Sequence, residues 1–166
     1  MPNKYKVYLP LVLVGILALT LWFGSVTTLI FNMQPQMSVP MNMTPTVNFT
    51  LYAGEMADGK FGFGHTPDNL TSPGPTLRFT TADIVQINVV NVGKMPHTFA
   101  ITTTPTPQAT VLFNAEIGTV SNPLQPGQNG SITIMPINAG FTYWYESMIP
   151  GDAENGMFGA VVTKSG

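Results

Sequence analysis

The sequence contains no cysteine. That excludes a disulfide framework, a thiolate metal ligand and a redox thiol in one stroke. Charge is also scarce: 8% of the 166 residues are charged, against about 25% in ordinary soluble domains. From Asn32 onward the basic residues are Lys60, Arg78, Lys94 and Lys164 alone. Two explanations stay open. A β-rich, glycosylated surface needs few charges, and an acidic exterior disfavours basic groups, because below about pH 4 carboxylates are protonated and no longer neutralise them. Histidine is limited to His65 and His97, and no internal repeat is present.

One long hydrophobic run stands out. Lys4 and Lys6 precede an apolar stretch from Val7 to Phe31. Its length, about 25 residues at 1.5 Å each or roughly 37 Å, is enough to cross a hydrocarbon core of about 30 Å with tilt. The run exceeds the apolar core of a secretory signal, about 7–15 residues, so a retained single-span anchor is expected. The two lysines place its N-terminus in the cytoplasm and the remainder of the chain outside. Residues 1–31 are thus read as anchor and 32–46 as a tether rich in Met, Pro, Asn and Gln. Residues 47–166 form the extracellular domain.

That domain reads as short strands between Gly/Pro signals. Val47–Ala53, Thr76–Phe79, Ile84–Val90, Phe99–Thr103, Val111–Phe113, Ser131–Met135, Phe141–Tyr145 and Phe158–Thr163 are β-prone. Pro73-Gly74-Pro75 reads as a break before the second of these. Phe61-Gly62-Phe63-Gly64 reads as a bend, with no helix after it to make a phosphate loop. Strands at this spacing without helical periodicity predict a sandwich or barrel. N-x-Ser/Thr sequons at Asn42, Asn48, Asn69 and Asn129 are glycosylation candidates, the first weakened by Pro45.

Two segments carry a resemblance. One runs Pro73-Gly74-Pro75-Thr76-Leu77-Arg78-Phe79, through Asp83 and Asn91, to His97-Thr98-Phe99. The other runs Gly140-Phe141-Thr142-Tyr143-Trp144-Tyr145, then Glu146-Ser147-Met148-Ile149-Pro150-Gly151-Asp152, then Gly156-Met157-Phe158-Gly159. Together they resemble the cupredoxin family, in particular its rusticyanin- and sulfocyanin-like branch, over roughly Thr76 to Val162. The resemblance implies an all-β, cupredoxin-like Greek-key β-sandwich or barrel, here preceded by one N-terminal transmembrane helix. In that family the second segment carries a cysteine, then Pro-Gly and a histidine, then a methionine five residues later. His97 and Met157 match the first histidine and the axial methionine. Ser147 stands at the cysteine position and Asp152 at the second histidine position. A mononuclear electron-transfer copper site needs a thiolate, two imidazoles and a weak thioether, so no copper is expected in this chain. The expectation is that His97 and Asp152 hydrogen-bond, with Met157 packed beneath them. The binuclear copper pattern of cytochrome oxidase subunit II also fails, since no cysteine flanks Glu146. His65 is expected in a surface loop.

A single anchor followed by an outside cupredoxin domain resembles subunit II of a haem–copper terminal oxidase. The copper-less form resembles the subunit II of archaeal quinol oxidases. The resemblance implies a docking role, no catalytic residue here, and haem and copper in a partner subunit I. Other integral membrane subunits, lipid and quinol at the level of the complex complete the partners, with no nucleic acid. Trp144 and Tyr145 are candidates for an interface, although an aromatic core strand is the better account of them. The rival reading is a free-standing, membrane-anchored envelope protein binding copper or another partner. For it, the tether thioethers of Met33, Met37, Met41 and Met43 offer soft Cu(I) ligands, while packing against lipid or a helix is the alternative.

Overall fold

The computed structural model describes residues 43–166 apart from 107 and 137. The expected anchor and all of the tether before residue 43 lie outside the described residues. Among the described residues no helix is long and apolar enough to cross a membrane.

Among the described residues ten strands form two five-stranded sheets. In chain order they are β1 (Val47–Glu55), β2 (Phe61–Gly64), β3 (Leu70–Thr71), β4 (Gly74–Thr80), β5 (Val85–Asn91), β6 (Phe99–Thr102), β7 (Val111–Ile117), β8 (Asn129–Ile134), β9 (Thr142–Glu146) and β10 (Phe158–Lys164). One sheet has the order β3-β2-β1-β5-β8 and the other β4-β10-β9-β6-β7. The β1–β5 and β10–β4 pairs are parallel and their neighbours antiparallel. The described residues are thus all-β, in two sheets, as the sequence led us to expect.

Alternation decides which side chains face inward. Val85, Ile87 and Val89 of β5 are fully buried, while Gln86, Asn88 and Val90 between them are partly exposed. Leu77 and Phe79 of β4 and Val161 of β10 obey the same two-residue period. Each such aliphatic side chain contributes about 1.5–3 kcal/mol when buried. Three aromatic rings fill the centre. Phe63 meets Phe99 and Tyr145 edge-on at 6.1 and 5.2 Å, and Phe99 stacks on Tyr145 at 5.5 Å. The Tyr145 hydroxyl donates to the Pro75 carbonyl at 2.6 Å, so burial leaves no orphan at the ring tip. Glycine is required at position 159, where any Cβ would run into the Tyr145 ring.

Three sequence expectations need correction. Phe61-Gly62-Phe63-Gly64 is strand β2, not a bend. Its Phe-Gly alternation is itself a strand period, and Gly62 and Gly64 leave room for the backbone of Thr71 in β3 and of Asn69 just before it. Pro73-Gly74-Pro75 does not stop the chain before its strand. Strand β4 begins at Gly74, and as an edge strand it tolerates a proline. β7 runs on past Phe113 to Ile117. Phe113 and Asn114 adopt positive φ of 57° and 55°, a local kink that hides the period.

Candidate functional site

Three connections meet at one end of the sandwich. His97, on the stretch between β5 and β6, exchanges two backbone hydrogen bonds with Leu124 between β7 and β8, at 3.1 and 2.9 Å. The buried Asn91 secures both. Its Nδ2 donates to the carbonyls of Met95 and Leu124 at 2.8 and 2.9 Å, and its Oδ1 accepts from Gly93 N at 2.9 Å. Ser147, Asp152 and Met157 lie on the third connection, between β9 and β10. Ser147 N donates to Met157 O at 3.2 Å and Met157 N to Asp152 O at 2.9 Å. These bonds close the loop upon itself.

The structure brings together all four positions singled out by the resemblance. His97, Ser147, Asp152 and Met157 are each at most 3% exposed. Asp152 Oδ2 accepts from Ser147 Oγ at 2.6 Å and lies 2.9 Å from His97 Nδ1. Ser147 Oγ in turn accepts from Thr98 N at 3.1 Å, and Thr98 Oγ1 accepts from Met148 N at 2.7 Å. The serine has one proton and gives it to the carboxylate, while an ionised carboxylate only accepts. The proton between His97 and Asp152 therefore sits on Nδ1.

This arrangement is a closed polar triad. The side chains at the first-histidine and cysteine positions both aim protons at the carboxylate at the second-histidine position. A cation would meet N–H and O–H hydrogens there, and no thiolate is present to displace them. The residues do not fit a blue copper ion. Among the described residues no group of three or more His, Cys, Asp or Glu side chains is placed to hold a metal. The buried serine is no nucleophile either, since its partner is the carboxylate and not the imidazole.

Among the described residues, two buried side chains keep polar atoms without a hydrogen-bond partner. His97 Nε2 has no hydrogen-bond partner and lies 4.0 Å from Glu55 Oε1, with the Phe61 ring edge-on to the imidazole at 5.5 Å. Glu55 Oε1 accepts from Met95 N at 2.7 Å and Glu55 Oε2 from Lys94 N at 2.8 Å. Burial opposes its charge, but these amides and the nearby His97 prevail and hold its carboxyl below the ordinary range. A groove of about 620 Å³ opens beside Glu55, Met56, Asp68, Lys94 and Met95. Glu146 is fully buried and neither carboxylate oxygen has a donor in hydrogen-bonding geometry. Burial raises its pKa to about 7; nearby Thr102 and the Thr106 backbone oppose the rise, and Glu154 adds to it. The Thr102 hydroxyl offers little relief because it donates to the Thr104 carbonyl at 2.9 Å. Sequence reading noticed Glu146 only through the missing cysteines, and it missed Glu55 because nothing local marks it.

The other candidates are dispersed. His65 is exposed after β2, and Met43 is half-buried before β1. Tyr145 belongs to the core, whereas Trp144 lies on the outer side of β9 against Phe158 at 5.8 Å. Asn48, Asn69 and Asn129 are exposed. Asn42, Met33, Met37 and Met41 lie outside the described residues.

Known structures share this fold. A multicopper oxidase from Pseudomonas thermotolerans matches with a TM-score of 0.55 and 21% identity, over 74% of this chain and 30% of its own. A blue copper oxidase from Nitrosomonas europaea matches at 0.54 and 19%, over 72% and 39%. Auracyanin B matches at 0.53 and 18%, over 74% and 92%. The chain thus spans less than half the length of the two oxidases but nearly all of auracyanin B. No curated protein sequence matches the chain. A family described as multicopper oxidase matches residues 68–166, more than half of the sequence and the whole β9–β10 connection. The chain therefore belongs to the multicopper oxidase family, as a cupredoxin-type domain.

Proposed function

We propose that this chain is the copper-less subunit II of a membrane terminal quinol oxidase, docked to a partner subunit I that holds the haems and copper. The observation that carries this reading is the Asp152 carboxylate, held by His97 and Ser147 inside a loop that keeps its frame. An outer electron relay needs a redox metal, and this triad offers none. An oxidase fed by quinol takes its electrons from the lipid side and needs no such relay. What the domain retains is shape, and shape serves contact.

On this reading the chain is a single-pass protein of the cell membrane, N-terminus inside and cupredoxin domain outside, in an archaeal quinol-to-oxygen respiratory chain. The apolar run from Val7 to Phe31 supports the anchor, and Lys4 and Lys6 its orientation. Its small residues Gly15, Gly24 and Ser25 suit close packing against partner helices. A buried carboxyl that keeps its proton up to about pH 7 fits an acidic exterior. The chain supplies no catalytic residue; oxygen reduction belongs to the partner.

Purification in mild detergent with a haem absorbance scan tests this directly. Co-elution with a haem protein at constant ratio is the expected result. Elution of the chain alone, without haem, would sink the subunit assignment and favour a free-standing envelope protein.

A further inference from the structure

The outer face of the β3-β2-β1-β5-β8 sheet has an unusual composition. Register places its outward side chains in rows across β1, β5 and β8: Asn48–Gln86–Thr133, Thr50–Asn88–Ser131 and Tyr52–Val90–Asn129. None of the nine is charged. β8 is an edge strand of that sheet, and Asn129–Ile134 carries no charge along its length. Soluble surfaces are ordinarily about 25–35% charged, and an uncharged edge strand is a template for pairing with another chain. The other sheet differs. Its outer side carries the exposed Arg78, Glu116 and Lys164 and has no sequon.

The sequons fall where charge is missing. Asn48 and Asn129, each with its hydroxyl partner two residues on (Thr50 and Ser131), lie in this grid on one side of the sheet. Asn69 stands exposed immediately before β3, the opposite edge strand, with Thr71 exposed after it. Positions 48, 69 and 129 are far apart in sequence, yet they mark one central strand and both edges of a single sheet. We propose that Asn48, Asn69 and Asn129 carry N-linked oligosaccharides, which hydrate this uncharged face and block both of its edges. The sugars stand in for the charges that the domain lacks. This inference rests on the outside location argued above, because N-glycosylation is a modification of exported chain.

The test uses the full chain from its own membranes, with two readouts. A membrane-impermeant amine reagent applied to intact cells reports location through the exposed Lys60 and Lys94. Mass spectrometry of peptides spanning the three asparagines reports the modification. The expected result is labelled lysines with an oligosaccharide mass on all three sites. Unlabelled lysines would overturn the location, whereas labelled lysines with unmodified asparagines would overturn the glycan inference alone. The triple variant Asn48→Gln/Asn69→Gln/Asn129→Gln checks the physical role. It is expected to keep its unfolding temperature, because the three side chains are exposed, and to self-associate where the native chain does not. Adding Thr50→Lys and Thr133→Lys to it should restore solubility. A triple variant as soluble as the native chain would refute the role.

Discussion

A carboxylate, an imidazole and a hydroxyl share two protons at the end of this sandwich, and that sharing replaces a metal's charge. Asp152 supplies the negative charge that a cupredoxin site takes from its thiolate, while Nδ1–H of His97 and the hydroxyl of Ser147 supply the positive ends of two dipoles. Ser147→Cys alone leaves the His97–Asp152 pair in place, and Asp152→His alone removes the shared acceptor but returns no thiolate. The double variant Ser147→Cys/Asp152→His is therefore expected to bind Cu(II) with an intense visible thiolate band, and either single variant to show none. An equally intense band from Ser147→Cys alone would show that Asp152 does not hold the site closed. The other buried carboxyl makes a stability prediction. The folded pKa of Glu146 is raised from 4.5 to about 7 by burial, so the folded state binds its proton more tightly than the unfolded chain does. Stability is full below about pH 4.5, falls as pH rises toward 7, and is level above it. The loss is on the order of 3 kcal/mol. Glu146→Gln should remove this slope and raise the unfolding temperature at pH 8, while changing little at pH 4. Thermal melts across that range would contradict the account if the variant kept the native slope.

Strands show where sequence patterns succeed and where they stop. β5 is legible because Val85, Ile87 and Val89 alternate with polar neighbours. The ligand loop is legible because Pro150-Gly151 and Met157 keep their spacing from Ser147. β2 was hidden because two glycines suggest a bend, and their purpose appears only when β3 packs against them. Glu55 was hidden for a similar reason: its role depends on amides about 40 residues away in sequence. Tertiary approach, and not local preference, decides both. The same holds at β10, where Gly159 admits the Tyr145 ring. Gly159→Ala should destabilise the domain by about 1–3 kcal/mol through overpacking, read as a lower midpoint in urea with unchanged slope. A variant as stable as the native chain would mean that the ring has room to move.

At the scale of the molecule the two sheets have different surfaces and one shared end. The first sheet turns an uncharged, sequon-bearing face outward, and the second carries the exposed Arg78, Glu116 and Lys164 together with Trp144 and Phe158. At the shared end the frame of a copper protein encloses a hydrogen-bonded triad. The cupredoxin-like fold was implied by the family resemblance of two segments, but the identity of a partner was not legible, because contacts between chains leave no periodic trace in one sequence. The central claim is that this site has exchanged its metal for a carboxylate. Its most direct test is copper titration of the purified full chain, followed by desalting, elemental analysis and a visible spectrum. The account predicts substoichiometric copper and no intense visible band; one copper retained per chain with a blue-copper spectrum would contradict it.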